Sequence, residues 1–486
     1  MIQFSMEELR QRIHACWIGK SIGGTLGTPY EGKTEMNNIS GFASPPGEPL
    51  PNDDLDLQLV WLRAVNERGI EAINSKLLGE YWLSWITPHW NEYGVAKANL
   101  REGILPPMSG EYNNEEWKHS NGAWIRTEIW ACLYPAQPEQ AIRLAFEDAC
   151  VDHGFGECSY AAIFIAAMES AAFVVRDAEE LLKIGLSKIP EDCRVANSAR
   201  LVMDAYRKGV PWQEARESLV RDSEDLGWFR APANIGFVVL GLLYGEGDFK
   251  RSLCCAVNCG DDTDCTGATL GSILGIMGGP GCIPEDWRRY VSDSIKSVCL
   301  TYGHGRFPET LTMLTDCIMN LLPTTLRKRH EGLLYGIPPA VALADQSAYT
   351  QADAETFHGR QFVDALSART PYSYVIEGLY ADVTVAFDSQ PQIAPGGTLT
   401  GSITLRAHTL PEQKHYRLLF HCPPGWQAEC TGHLFTPAHR SVDFRHASAP
   451  FTLKAGPAVD AVNLLILEVQ ATGRLMPILV PVRVLG

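Results

Sequence analysis

The sequence predicts a mainly α protein: a large all-α domain followed by a small antiparallel β-sandwich. Three observations predict it. At 486 residues the chain exceeds one ordinary domain. From Met6 to Leu322 apolar residues recur at helical spacing, with almost no period-two alternation. From about Tyr372 the pattern alternates and turns β-branched, punctuated by Pro395-Gly396-Gly397, Pro423-Pro424-Gly425 and Thr472-Gly473. The division is a helical domain over 1–330, a connector over 331–371 and an immunoglobulin-like β-sandwich over 372–486.

In chain order, Met6–Ile22 reads as a helix with Leu9, Ile13, Cys16 and Trp17 on one face. Gly19, Gly23, Gly24 and Gly27 interrupt it, a pattern that permits close approach of another backbone. Asp56–Val65 is amphipathic, so Asp53 and Asp54 fall in the loop or first turn at its positive end. Ile73–Trp90 continues the series. Arg101–Trp117, with Pro106-Pro107 and Tyr112-Asn113-Asn114, reads as a functional loop between helices. Helices follow over Glu128–Leu133, Glu139–Ala149, Tyr160–Val175, Leu181–Leu186, Arg194–Lys208 and Trp212–Ser218. Pro232–Leu243 is apolar all round and therefore central. A helix rich in small residues, Ala268–Gly275, then Arg288–Val298 and Glu309–Leu322 complete the domain. Strands are expected near Tyr380–Val385, Thr398–Leu405, Arg417–His421, Phe451–Lys454, Val462–Gln470 and Leu479–Val484.

The net charge of −16 disfavours nucleic acid and anionic membranes as partners. Glu169 breaks the longest apolar run, so no membrane span is expected. The N-terminus lacks a charged segment leading into an apolar one, so no signal peptide is read. Fourteen cysteines without CxxC pairs then suggest reduced, mostly buried thiols and a cytoplasmic location.

Chemistry concentrates in Gly260-Asp261-Asp262-Thr263-Asp264-Cys265-Thr266-Gly267 and in Asn52-Asp53-Asp54-Leu55-Asp56, each just ahead of a helix. Facing carboxylates suit hard divalent cations, and adjacent aspartates can bridge two. The same pattern also suits a pair of helix N-caps. Spacing leaves both readings open.

Further motifs bear on the choice. They are Gly19-x-x-x-Gly23-Gly24-x-Leu26-Gly27-x-Pro29-x-Glu31, Ser120-Asn121-Gly122-Ala123-x-x-Arg126 and Asp152-His153. With the two acidic clusters, in this order over about residues 10–285, the chain resembles the ADP-ribosylglycohydrolase family. It resembles the group that includes the hydrolase reactivating ADP-ribosylated dinitrogenase reductase. The resemblance implies an all-α fold with two Mg2+ or Mn2+ ions, held by Asn52, Asp53, Asp54, Asp262 and Asp264. It implies catalytic work for Glu31 and Asp54, with Glu31 near the metals in gating or proton transfer. It implies that Ser120, Asn121 and Gly122 belong to a loop whose amides take up diphosphate, with a helix N-cap as the plain alternative. His153 is either near substrate or a core histidine. Arg126 either anchors an acidic substrate group or pairs within the bundle. Asn113 is a candidate for lining the pocket.

The chain also departs from the family pattern. Cys265 stands where the family has Thr, and a thiol is a poor Mg2+ ligand. That position either loses a protein ligand or uses Thr263 or Thr266. Asn52 replaces a Thr, Asp261 replaces a glycine, and the Ser120 loop carries fewer glycines with Trp124 inside it. The function expected is metal-dependent N-glycosidase action on a ribosyl group, most simply an ADP-ribosyl adduct on a small molecule or a target protein. A smaller riboside such as a nucleoside is the first alternative. A catalytically inactive, crystallin-like homologue is the second, and retention of all four aspartates argues against it. The β-sandwich is open to carbohydrate binding, homodimerisation or simple capping.

Overall fold

Helices Met6–Gly27 and Thr263–Gly278 pack antiparallel with their backbones in contact. The computed structural model in which this is seen describes residues 2–300, 307–326, 347–350, 356–408, 414–436 and 446–486. Glycines spaced by four make the contact: Gly19 meets Gly271, Gly23 meets Gly267, and Gly275 meets Ala15. A Cβ built on Gly23 would lie 1.9 Å from Gly267 O, and one on Gly19 would lie 2.0 Å from Gly271 O. No side chain fits there, and the approach permits Cα–H···O contacts along the seam. This contact is why the N-terminal helix runs on to Gly27, beyond the Ile22 that periodicity suggests.

The chain divides into two compact units, one of residues 1–97 and 110–367, the other of 98–109 and 368–486. In the first, helices Asp53–Arg68, Ser75–Trp85, Pro138–Asp152, Glu157–Ala172, Arg194–Arg207 and Ala231–Tyr244 enclose a core with Trp17, Trp61, Trp82, Trp124 and Trp130 fully buried. Ala231–Tyr244 is the apolar helix expected at the centre, and it packs against Arg194–Arg207, Phe249–Val257 and Thr263–Gly278. Among the described residues no helix is long and apolar enough to cross a membrane.

Helices Asn91–Arg101 and Phe249–Val257 were not legible from apolar spacing. The expected helix Arg288–Val298 is instead Glu285–Val291, broken at Ser292 with φ +60°. Beyond the break, Val298 N and Cys299 N donate to Asp56 Oδ2 at 2.6 and 2.7 Å, so a buried carboxylate claims amides a helix would have used. Of the expected connector, 331–346 and 351–355 lie outside the described residues. Within it, strand Ser347–Thr350 pairs antiparallel with Ile2–Ser5, and a helix spans Gln361–Ser367.

The second unit contains two antiparallel sheets. One runs in the order Ser373–Glu377, Ala381–Phe387, Thr398–Ala407, His446–Lys454, Gln427–Cys430. The other runs Ile478–Leu485, Val462–Ala471, Lys414–His421, His433–Thr436. Alternate residues point inward, Val383, Val385, Ile403 and Leu405 from one sheet and Leu465, Leu467, Val480 and Val482 from the other. Tyr374 Oη donates to Pro481 O at 3.0 Å between the sheets.

The seam generates a stability prediction. Gly23→Ala is expected to cost about 3 kcal/mol or more, because neither backbone can yield. Gly41→Ala, where a Cβ meets nothing within 4 Å, should stay within about 0.5 kcal/mol. Denaturant midpoints compare the two.

Candidate active site

The glycine seam ends at the acidic centre. At its last turn Gly27 abuts Thr263, whose Oγ1 donates to Gly27 O at 2.8 Å. On the neighbouring face, a Cβ on Gly24 would lie 2.4 Å from Asn52 Nδ2. One helix end therefore touches both acidic segments. Asn52 caps helix Asp53–Arg68, its Oδ1 accepting from Asp54 N at 2.7 Å, and Asp262 occupies the N-cap position of Thr263–Gly278. Both carboxylate pairs thus sit at positive helix ends.

Two overlapping groups of ligand atoms result, each with its members within 4.8 Å of one another: Asp54, Asp264 and Cys265, and Glu31, Asp262 and Asp264. Asp54 and Asp262 are fully buried and Asp264 is nearly so, while Glu31 is exposed. Among the described residues Asp54 Oδ2, Asp262 Oδ1 and Asp264 Oδ1 accept no hydrogen bond. Burial pushes Asp54 and Asp262 well above the usual carboxylate range, opposed at Asp54 by Lys20 and reinforced at Asp262 by Asp264. Glu31 is pushed up to about 8, first by the Asp264 charge, then by burial and Asp53. Asp53, half-buried, accepts from Tyr93 Oη at 2.9 Å and is raised by burial and by Asp264.

Converging buried carboxylates with orphaned oxygens are costly unless a cation is held among them, so the donor set fits divalent cations. A cation there acts on Glu31 in the opposite sense to the carboxylates. The two neighbouring hydroxyls each donate their proton to a backbone carbonyl. Thr263 Oγ1 is turned to Gly27 O, and Thr266 Oγ1 to Thr263 O at 3.2 Å. Cys265 Sγ itself lies 3.4 Å from Asp54 Oδ1.

Several residues that support the centre carry no motif. Lys20 Nζ, buried in the seam helix, donates to Glu128 Oε1 and to Ile125 O, both at 2.7 Å, and lies 3.7 Å from Asp54 Oδ2. Burial opposes its charge, but Glu128 and Asp54 outweigh it and hold the ammonium above its usual range. Gln58 Nε2 donates to Glu128 Oε2 at 2.7 Å and to Asp54 O at 2.8 Å, tying the Asp53 helix to this network. The only sequence signals were a lysine in a glycine-rich apolar helix and polar residues in otherwise apolar runs.

Asp261 has φ +67°, which explains a glycine at this position in the family pattern. Its N donates to Lys33 O at 2.7 Å, its O accepts from Gly32 N at 2.9 Å, and its Oδ1 accepts from Phe229 N at 2.7 Å. It is a hub for the segment carrying Glu31.

The other predicted residues fall into three places. Asn121 joins the centre: Trp124 Nε1 donates to its Oδ1 at 3.0 Å, which aims its Nδ2 at Asp262 Oδ2, 2.6 Å away. Ser120, Gly122, Arg126 and His153 form a buried cluster beside it. Ser120 Oγ lies 3.0 Å from His153 Nε2, and His153 Nδ1 lies 3.0 Å from Asp152 Oδ1. Arg126 holds Asp152 through both terminal nitrogens, at 3.0 and 2.8 Å, and Asp148 Oδ1 through Nε at 3.0 Å. Burial works to raise Asp152, but Arg126 outweighs it and holds the carboxyl at about 2. Asp152 in turn keeps His153 well above its usual range against the effect of burial. Asn113 is exposed with φ +53°, while its neighbour Asn114 is buried and donates to Gly110 O and Asp152 O, both at 2.8 Å.

The family model for ADP-ribosylglycohydrolase matches residues 5–326, two thirds of the chain, and the protein belongs to that family. It is thereby a glycohydrolase-type protein of mainly α fold. A solved structure described as an "ADP-ribosylglycohydrolase-related protein complex" is similar at 20% identity and a TM-score of 0.45, covering 66% of this chain and 99% of that one. No curated protein matches.

Arg126→Gln would leave Asp148 and Asp152 buried without their cation. The expected cost is about 3–5 kcal/mol, read as a lowered denaturant midpoint. A residue that anchors substrate would instead raise KM and leave the midpoint in place.

Proposed function

We propose that this protein is a metal-dependent hydrolase of a ribosyl N-glycosidic bond. The observation that carries the reading is that Asp54, Asp262 and Asp264, each with a buried oxygen that accepts no hydrogen bond among the described residues, fall in two ligand groups joined at Asp264, one of which includes the exposed Glu31. Asp53, Asp54, Asp262 and Asp264 would hold divalent cations, two of the Mg2+ or Mn2+ class, with Asn52 contributing through its cap. When bound, such cations supply Lewis acidity toward water and the vicinal ribose hydroxyls.

The chain's own residues do the rest. Asn121, fixed by Trp124, holds Asp262 in one orientation by donating to Oδ2, which leaves Oδ1 free. Tyr93 fixes Asp53 in the same way. Lys20 offsets part of the negative charge that burial makes costly at Asp54. Glu31, the most exposed carboxylate of the set, exchanges a proton between water and the reacting glycosidic nitrogen.

Family membership favours an ADP-ribosyl adduct as substrate. One feature of this chain favours a smaller riboside. Ser120-Asn121-Gly122 is buried, and the amides of Ser120, Ala123 and Trp124 are engaged by Trp117 O, Cys158 Sγ and Asn121 O. A Cβ on Gly122 would lie 2.4 Å from Glu92 Oε1, so a buried carboxyl fills the space against this loop. Burial pushes Glu92 up to about 7, and it presents acceptor oxygens where a diphosphate needs donors.

The test is a hydrolysis screen with Mg2+ or Mn2+, comparing ADP-ribose conjugates with nucleosides. Asp54→Asn and Asp264→Asn are expected to lower turnover of the accepted substrate by about 100-fold or more. Ribose release from nucleosides without turnover of conjugates selects the smaller riboside. Equal activity of both variants and wild type would overturn the metal-dependent reading.

A further inference from the structure

We propose that Cys265 makes one cation position of this centre thiophilic, so that Asp54, Asp264 and Cys265 take a borderline-soft transition-metal dication of the Zn2+ class in preference to Mg2+. The inference rests on the metal-centre reading above and goes beyond it by dividing the centre into two unlike halves.

Geometry carries it. The ligand atoms of Asp54, Asp264 and Cys265 lie within 4.8 Å of one another, and all three side chains are buried. Cys265 Sγ and Asp54 Oδ1 are 3.4 Å apart. A cation with about 2.3 Å to sulfur and about 2.1 Å to oxygen, at angles between octahedral and tetrahedral, separates two such ligands by roughly 3.1–3.6 Å. The Cys265 thiol hydrogen-bonds to Asp54 Oδ1 at a separation within this range, so a cation that displaces the thiol proton needs little movement of either side chain. Independently, Asp264 Oδ1 and Asp54 Oδ2 accept no hydrogen bond among the described residues. The Lys20 ammonium, 3.7 Å from Asp54 Oδ2, is too far to donate one.

The chemistry of the donors sets the preference. Mg2+ demands oxygen ligands in near-octahedral array and binds thiolate poorly, whereas Zn2+ and Co2+ accept mixed sulfur and oxygen sets. Thr263 Oγ1 and Thr266 Oγ1 donate to backbone carbonyls, and it is the Cys265 sulfur that stands with Asp54 and Asp264 in the converging group. The second group, Glu31, Asp262 and Asp264, contains oxygen alone and suits the harder ion. Asp264 belongs to both groups and is placed to bridge them.

The test is spectroscopic. The full chain is stripped with chelator and titrated with Co2+ under reducing, oxygen-free conditions. The expected result is a near-ultraviolet thiolate-to-cobalt charge-transfer band that Zn2+ abolishes and excess Mg2+ does not. With 14 free cysteines in the chain, Cys265→Ser assigns the band. The variant should lose it, while still binding Mg2+, and its Zn2+ affinity should fall by about 100-fold or more, since removing even an outer partner costs 10–100-fold. Co2+ binding by wild type without a thiolate band, or a band unchanged in Cys265→Ser, would overturn the thiophilic site and leave the metal centre standing. Failure of wild type to bind any dication would overturn the centre itself.

Discussion

Backbone-on-backbone contact between helices Met6–Gly27 and Thr263–Gly278 is the constraint on which the rest of the helical unit depends. A seam of this kind has a register that cannot slip. Moving either helix by one residue drives a side chain into a carbonyl that already stands about 2 Å from where a Cβ would be. The register fixes where Gly27 meets Thr263, hence where Asp262 and Asp264 begin their helix. It also fixes Gly24 against Asn52, hence where Asp53 and Asp54 begin theirs. The two acidic segments lie some two hundred residues apart in sequence, and a single helix end brings them together. Lys20, one residue from Gly19 on the same helix, places a cation beside Asp54 at the same stroke.

Two buried ionic networks lie side by side, and the balance of charge separates them. Around Arg126 the guanidinium is engaged with Asp148, Asp152 and Gly122 O, and Asp152 stays ionised because it is paired. Such a cluster has its counter-charge already inside it. Around Asp54, Asp262 and Asp264 one ammonium faces several carboxylates, and three oxygens have no donor. That arrangement costs stability in the protein alone, which is the usual mark of a site shaped for something it binds. Glu169 shows a milder form: Thr127 donates to its Oε2 at 2.9 Å, Oε1 has no partner among the described residues, and burial with Glu128 beside it pushes the carboxyl well up.

The parts of this design visible in the sequence are those with local signatures. Helix periodicity gives most of the helical unit, and the alternation of Thr398–Ala407 or Val462–Ala471 gives the sheets. The aspartate clusters are visible because charge density in a loop before an apolar helix is rare. Residues whose meaning depends on a distant partner were not visible. Lys20 matters through Glu128, Gln58 through Asp54 and Glu128, and Tyr93 through Asp53. Asn121 was legible as part of a motif, but its contact with Asp262 across 141 positions was not. Arg288–Val298 reads as helix because its local propensity is helical, and the amides that Asp56 captures belong to tertiary structure.

Glu31 combines two properties that ordinarily conflict, exposure and fixed position. The loop around it resolves the conflict by being anchored from beneath. Asp261 exchanges two backbone hydrogen bonds with Gly32 and Lys33, immediately after Glu31, and its carboxylate holds Phe229 N. Both Asp261 and Phe229 sit in the left-handed region, at φ +67° and +65°, where a non-glycine residue stores roughly 1–2 kcal/mol. A glycine at 261 would remove that strain, but it would also remove the carboxylate that ties Phe229 to the Glu31 loop. The aspartate is thus a fastening: its N and O are bound to Lys33 and Gly32, and its Oδ1 is engaged with the backbone of Phe229. Glu31 is then held from its own backbone outward, so its carboxyl can meet water and still keep a ligand atom within 4.8 Å of Asp262 and Asp264, which is what the proton-exchanging role proposed for it would require.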